Sequence, residues 1–225
     1  MKLVLYNDFQ LGVVQEKTVM DAGAAVAGLG HHSPQEMMEM LIRGWDDLGP
    51  KIEAAVAGQP GQSLDSVQLR APLPRPGQLV CLAGNYIEPR APERGAFNAF
   101  IKSNTAIVGQ GATIDLPSAE ASVFHFEPEL ALVIGKRASK LAASEALDYV
   151  FGYTQFIDGS ARGLPAVSFW AKAGTPSPLW GRPWLRPTKL PTPTNWQSKC
   201  GSTTICDTIF PPTAWPATCR NCWRT

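Results

Sequence analysis

The chain has 225 residues, 44% of them hydrophobic, with 20 Lys plus Arg against 19 Asp plus Glu. That is long enough to bury a sizeable core, and a net charge of +1 without a basic cluster argues against nucleic-acid binding as the main activity. No apolar run reaches membrane-spanning length, and the opening MKLVLYNDFQ lacks signal-peptide chemistry, so the expected location is cytoplasmic.

Taken along the chain, residues 2 to 20 alternate as short strands around Asn7-Asp8 and Gln15-Glu16. Ser33-Pro34-Gln35-Glu36 then forms a capping box with proline at the first helical position, opening an amphipathic helix through Met37, Leu41 and Trp45. His31 and His32 precede it as helix-entry polar residues. Together these elements predict a small N-terminal α/β module over residues 1–65. The stretch GQPGQSLDS, residues 58–66, reads as a linker into a larger domain. Beyond it, strands around 79–82, 106–108 and 130–134, separated by Pro and Gly turns, predict a β-dominated roll with one helix at 144–150. Cys81, within a hydrophobic strand, is expected in the core.

The segment His125-Phe126-Glu127-Pro128-Glu129-Leu130-Ala131-Leu132-Val133-Ile134 places two carboxylates two residues apart on a strand. Residues i and i+2 of a strand share a face, so Glu127 and Glu129 point the same way, about 7 Å apart along the backbone. Leu130, Leu132 and Ile134 fall on the opposite face and are expected to be core. The acids are then either solvent-side decoration or the rim of a site. A third acid, Asp158, lies in the apolar and aromatic run Phe151-Gly152-Tyr153-Thr154-Gln155-Phe156-Ile157-Asp158-Gly159-Ser160-Ala161-Arg162. Three carboxylates suit a hard cation, Mg²⁺ or Mn²⁺, with the remaining octahedral positions left to water or a chelating substrate. His125 shares the face of Glu127, as a partner or base of that site or as a plain surface histidine.

At these residues the chain resembles the fumarylacetoacetate hydrolase family. The blocks that carry the resemblance run from 69 to 174: RAPLPRPGQLVCLAGNY, FIKSNTAIVGQGATIDLP, FHFEPELALVIGK, EALDYVFGYTQFIDGSARGLP and the lysine of FWAKAG. It implies an α+β fold dominated by a mixed β-sandwich roll, with residues 66–174 forming a catalytic domain that is incomplete at its C-terminal end. It also implies that Glu127, Glu129 and Asp158 hold the metal and that Lys172 stabilises developing negative charge. Lys102 and Asn104 match the F-I-K-S-N block, and Lys102 is expected near the substrate or, alternatively, as a solvated lysine. Tyr86 is expected on the substrate side, as is Arg162, which could pair with a ligand carboxylate or cap a turn. The pair Asn85-Tyr86 matches the family's N-Y-x-x-H, but Pro89 stands where the histidine is usual. The water-activating base is therefore expected at Glu88 or Glu93, with His125 a further candidate, or hydrolysis is impaired. The implied substrates are small oxo acids, 2-oxo or β-dioxo, and the implied reactions are C–C hydrolysis, keto–enol isomerisation or decarboxylation. The implied assembly, for a complete chain, is a homodimer.

Residues 175–225 differ in composition from everything before them. They hold five of the seven Trp, four of the five Cys, nine Pro and one acid, Asp207, against six Lys plus Arg. Loss of one base at codon 174 accounts for this. Shifted back, the codons of Gly174 to Arg182 can spell DTFAPLGP, which resembles the block following the family's lysine. Asn195-Trp196-Gln197 must then give Leu-Ala, and Asn221-Cys222-Trp223 must give Leu-Leu. Suitable third bases from Asn195 onward yield LAIEVWVNDDLRHDF, similar to the family's next strand pair. The competing reading is a zinc or disulfide module around Cys219-Arg220-Asn221-Cys222, but the five residues between Cys200 and Cys206 fit no common zinc knuckle. The expected outcome is an out-of-frame tail, which leaves three functional readings: an enzyme of the family, an inactive remnant of one, or a non-catalytic binding domain.

Overall fold

The computed structural model describes residues 1–85, 96–116 and 121–163, together with the backbone of 177 and 178. The chain divides into two compact units. One comprises Met1–Leu79 with Lys102–Thr188, and the other Val80–Ile101 with Lys189–Thr225.

The first unit opens on a meander, β1 (Leu3–Tyr6), β2 (Gln10–Gln15) and β3 (Thr18–Asp21), with every neighbour antiparallel. Its turns carry Asn7, Phe9 and Glu16 at positive φ, 48°, 60° and 49°. Asn7 does a second job, because its side-chain oxygen accepts from the Gln68 N–H at 3.1 Å and its own N–H donates to the Gln68 carbonyl at 2.8 Å. Arg70 adds a bond from Nε to the Asn7 carbonyl at 2.6 Å, and its guanidinium lies 5.3 Å from the centre of the Phe9 ring.

These contacts draw β5 (Leu69–Arg70) onto β1, while β4 (Gln62–Ser63) pairs with β3, giving the sheet order β4-β3-β2-β1-β5. The 58–66 stretch is therefore more than a linker, since it supplies an edge strand followed by a 3₁₀ turn at Leu64–Ser66.

The helical layer also differs from its sequence reading. Helix α1 (Pro34–Arg43) starts as expected, with Ser33 Oγ accepting from the Glu36 N–H at 3.1 Å. The Glu36 carboxylate, however, reaches back to the His32 N–H at 2.8 Å, one residue earlier than a capping box requires. The helix stops before Gly44, and a second helix, α2 (Trp45–Val56), follows with Pro50 inside it. Pro50 discourages a helix here on sequence grounds because it removes a backbone donor. Burial of Trp45, Leu48, Ile52 and Val56 outweighs that loss.

The remaining elements are β6 (Leu79–Leu82) paired with β7 (Ala99–Lys102), a short β8 (Ile107–Val108), and the long strands β9 (Val123–Ile134) and β10 (Val150–Arg162). A backbone bridge, β11 (Ser177–Pro178), runs parallel to β8. Where a helix is expected at 144–150 the chain forms a 3₁₀ segment, Ala143–Tyr149, whose exposed residues bury no face that would sustain an α-helix. Val150 already belongs to β10.

The main core joins the N-terminal sheet and helices to one end of the β9–β10 ribbon. Leu3, Leu5, Leu11, Met38, Leu41 and Ile52 are almost wholly buried, and Val133 and Phe151 pack among them. Trp45 meets Phe151 edge to face, with ring centres 5.1 Å apart at 80°. Edge-to-face packing of this kind adds roughly 0.5–1.5 kcal/mol beyond the area it buries. Cys81, expected in the core, is only half-buried, and its neighbour Val80 is 56% exposed. The short β6–β7 ribbon turns these side chains alternately outward. The architecture is thus α+β, with antiparallel sheets apart from the parallel β8–β11 bridge. Among the described residues no helix is long and apolar enough to cross a membrane.

Candidate metal centre

The site is built on the β9–β10 ribbon, whose register decides which side chains meet. Asp158 lies directly across from Glu127, Phe156 across from Glu129, and Ser160 across from His125. Directly paired residues project to the same side with Cβ atoms about 5 Å apart, and diagonal neighbours remain within reach of long side chains. One face of the ribbon therefore carries His125, Glu127 and Glu129 from β9 with Asp158, Ser160 and Arg162 from β10. The three acids singled out in the sequence are brought to a common face from strands about thirty residues apart.

This face is the inner one, which reverses the assignment made from hydrophobicity. Val133, Thr154, Phe156, Asp158 and Ser160, all on the acidic side, are buried, whereas Leu132 is 50% and Ile134 57% exposed and Leu130 is half-buried. The strand carries apolar residues on both faces, so alternation alone could not say which side faces inward. Burial of Phe156 and Val133, and the partner that Asp158 finds, select the acidic side.

That partner is Lys102, at the end of β7. Its Nζ stands 2.5 Å from Asp158 Oδ1 and donates to the Gly159 carbonyl at 2.5 Å, and Lys102 and Asp158 are only 3% and 4% exposed. The solvated-lysine reading of Lys102 is therefore wrong. A buried charge persists only when paired and hydrogen-bonded, and here both members are. Ser160 Oγ lies 3.5 Å from the same carboxylate oxygen.

The second acid is also paired, Arg162 Nη2 donating to Glu127 Oε1 at 2.9 Å. Of the two alternatives for Arg162, pairing with a carboxylate is the one observed. This bridge is half-exposed and lies within the ribbon's acidic face, the long Arg162 side chain reaching from its place opposite Val123, four residues along, to Glu127. Charge compensation of this kind is what three clustered carboxylates require when no metal ion is present.

The donor set is all oxygen and in register, which fits a hard divalent cation. With Asp158 on Lys102 and Glu127 on Arg162, no three of the described His, Cys, Asp or Glu side chains converge into a ready-made cage. A cation would have to draw the carboxylates from their present partners. Glu129 has interactions of its own.

His125 is exposed on the same face, opposite Ser160. Tyr86, Glu88, Pro89, Glu93 and Lys172 lie outside the described residues, as does the tail apart from the 177–178 backbone. Two participants had escaped the sequence reading. The Gly159 carbonyl holds Lys102 but leaves no trace in residue identity. Ser160, two residues from Asp158, was detectable through the same i, i+2 rule that pairs the glutamates.

Residues 80–219 match the family model described as fumarylacetoacetate (FAA) hydrolase, C-terminal. The chain is 30% identical over 186 residues to the maleylpyruvate hydrolase of Aquipseudomonas alcaligenes, covering 75% of this chain and 64% of that protein. It is 35% identical over 180 residues to the oxaloacetate tautomerase YisK of Bacillus subtilis, covering 71% and 59%. Among solved structures, the maleylpyruvate hydrolase of Sphingobium sp. SYK-6, crystallised with manganese(II) and pyruvate, superposes with a TM-score of 0.73 at 28% identity, over 86% of this chain and 70% of that one. The chain thus spans less than two thirds of the length of these two curated relatives. The matched region covers well over half of the sequence and contains both strands of the acidic site, and the chain belongs to the fumarylacetoacetate hydrolase family.

Proposed function

We propose that this protein is a divalent-metal-dependent enzyme acting on 2-oxo or β-dioxo carboxylic acids, with Glu127, Glu129 and Asp158 holding Mg²⁺ or Mn²⁺. The observation that carries this reading is the register that sets Asp158 opposite Glu127, with Glu129 two residues along on the same inner face. The relatives named for maleylpyruvate hydrolysis and oxaloacetate tautomerisation support the substrate class, and the manganese and pyruvate of the solved neighbour support the cofactor. With this reading go a β-sandwich roll over residues 66–174 attached to the module of 1–65, a homodimer as the working assembly and a cytoplasmic location.

When bound, the cation supplies Lewis acidity towards the substrate's oxo group. The chain's own residues supply the rest. Lys102, desolvated and anchored on Gly159, keeps a positive charge beside the carboxylates, where it favours an anionic substrate over a neutral one. Arg162, half-exposed at the ribbon's end, can release Glu127 and take the substrate's carboxylate in a two-pronged hydrogen bond. Lys172 shares negative charge as it develops in the transition state, and Tyr86 orients the substrate. Proton movement falls to Glu88, with His125 as the candidate on the acidic face. Because Pro89 replaces the usual histidine, tautomerisation or decarboxylation is favoured over hydrolysis.

Calorimetric Mn²⁺ titration of the wild type and Glu129→Ala tests the metal assignment. Removing one of three carboxylate ligands should weaken binding at least about tenfold, the equivalent of 1.4 kcal/mol. Equal affinity in the two proteins removes Glu129 from the site and defeats the reading.

The composition of residues 175–225 favours a second reading, in which this particular chain is an out-of-frame remnant of such an enzyme and is inactive. The family match runs on to residue 219, so a tail read in frame is the rival explanation, and the coding DNA decides between them.

A further inference from the structure

The buried ammonium of Lys102 occupies the position of a second claimant for the central carboxylate. We propose that Lys102 is the internal counter-ion of Asp158, holding that carboxylate when no divalent cation is present and competing with the cation for it. This rests on the reading of Glu127, Glu129 and Asp158 as metal ligands and adds to it a residue that sets their affinity.

The argument begins with charge. Three carboxylates on one ribbon face carry about three negative charges, which raise one another's energy unless positive charge is nearby. Lys102 and Arg162 supply that charge in unequal ways. The Arg162–Glu127 bridge has side chains 49% and 43% exposed, so water screens it. The Lys102–Asp158 pair is 3% and 5% exposed, so its attraction is poorly screened. Lys102 is therefore the dominant local compensation.

Anchorage provides the second step. Lys102 Nζ bonds the Gly159 carbonyl as well as Asp158, both at 2.5 Å. When a cation takes Asp158, the ammonium keeps the Gly159 carbonyl and stays beside the incoming ion. Two like charges then share one poorly screened corner. Metal affinity is consequently held below what three carboxylates alone would reach.

A structural salt bridge and a competing counter-ion make opposite predictions. If Lys102 merely positions Asp158, removing it disorders the ligand and weakens metal binding. If it competes, Lys102→Met should tighten Mn²⁺ binding by roughly tenfold or more, given the strength of unscreened charge pairs. Lys102→Arg, which keeps the charge, should stay near the wild type.

Loss of the free Mn²⁺ paramagnetic resonance signal, titrated against the full-length chain and both variants, reads the affinity without any turnover assay. Thermal melts with and without Mn²⁺ provide a second measurement. Lys102→Met leaves Asp158 buried without a counter-charge, so its metal-free melting point should drop, and Mn²⁺ should raise it more than it raises the wild type's. If the variant does not fold alone, recovery of a cooperative melt on adding Mn²⁺ supports the proposal, and no recovery at millimolar Mn²⁺ overturns it. Unchanged or weaker affinity in a folded Lys102→Met overturns the counter-ion role while leaving the metal ligands intact. Absence of Mn²⁺ binding in the wild type overturns the metal reading and this inference together.

Discussion

Two ion pairs of similar length, Lys102–Asp158 at 2.5 Å and Arg162–Glu127 at 2.9 Å, stand in very different surroundings, and surroundings decide what each contributes. Removing one member of a buried pair strands the other charge and costs about 3–5 kcal/mol, a large share of a typical domain stability of about 5–15 kcal/mol. Removing one member of a half-exposed pair costs about 1 kcal/mol at most. Asp158→Ala should therefore lower the urea midpoint severely, while Arg162→Ala should leave it almost unchanged. Comparable shifts for the two variants would show that Lys102 is less desolvated than its 3% exposure implies. The residue types of both pairs were legible in the sequence, since Asp158, Lys102 and Arg162 each stood in a block resembling the family. A carboxylate partner was among the alternatives for Arg162, but the partner of Lys102 was not legible, because 56 residues separate it from Asp158 and only the fold closes that distance.

For whole elements, hydrophobic alternation located strands better than it oriented them. The β1–β3 meander followed from its pattern and from turn residues such as Asn7, whereas β9 bears Leu130, Leu132 and Ile134 on one face and Ala131 and Val133 on the other. With apolar side chains on both sides, the ribbon's inner face is chosen by what packs against it. The sequence reading carries one helix through Trp45, whereas the chain breaks at Gly44 and starts α2, which tertiary burial of Trp45 and Ile52 sustains despite Pro50 inside it. The meander also contains a position where shape is decisive. A Cβ on Gly12 would sit 2.6 Å from Val19 Cγ2 and 2.9 Å from Tyr6 Cε1, and both neighbours are core residues with no room to withdraw. Gly12→Ala should cost about 1–3 kcal/mol, as overpacking does, despite alanine's smaller entropy loss on folding. A thermal melt at or above the wild-type midpoint would mean that β2 and β3 can shift apart to admit the methyl group.

At the scale of the whole molecule the N-terminal sheet, α1, α2 and the inner end of the β9–β10 ribbon share one core, so the site's strands are fixed at one end by the module the sequence places first. The proposed activity depends also on residues 164–225, where Lys172 and the proposed change of frame fall. The coding DNA should contain, one base out of phase after codon 174, an open frame spelling DTFAPLGP and then a strand similar to LAIEVWVN. A base order that cannot encode these peptides ends the remnant reading. If the frame is restored, the protein should turn over acylpyruvate or oxaloacetate in the presence of Mg²⁺, and the unrestored chain should not exceed background. Full activity in the unrestored chain would show instead that residues 175–225 are the native ending.

By itself the sequence determined the family, the three acids and their spacing, the start of α1 and the meander, because these depend on residue identity and on periods of two and 3.6 that the backbone imposes locally. Only the tertiary structure decided that the acidic face of the ribbon is the buried one, that Lys102 is desolvated against Asp158 and Gly159, and that Arg162 holds Glu127. The physical reason is that burial and charge pairing are properties of neighbours. For residues tens of positions apart, neighbours exist only once strand register and core packing have brought them together.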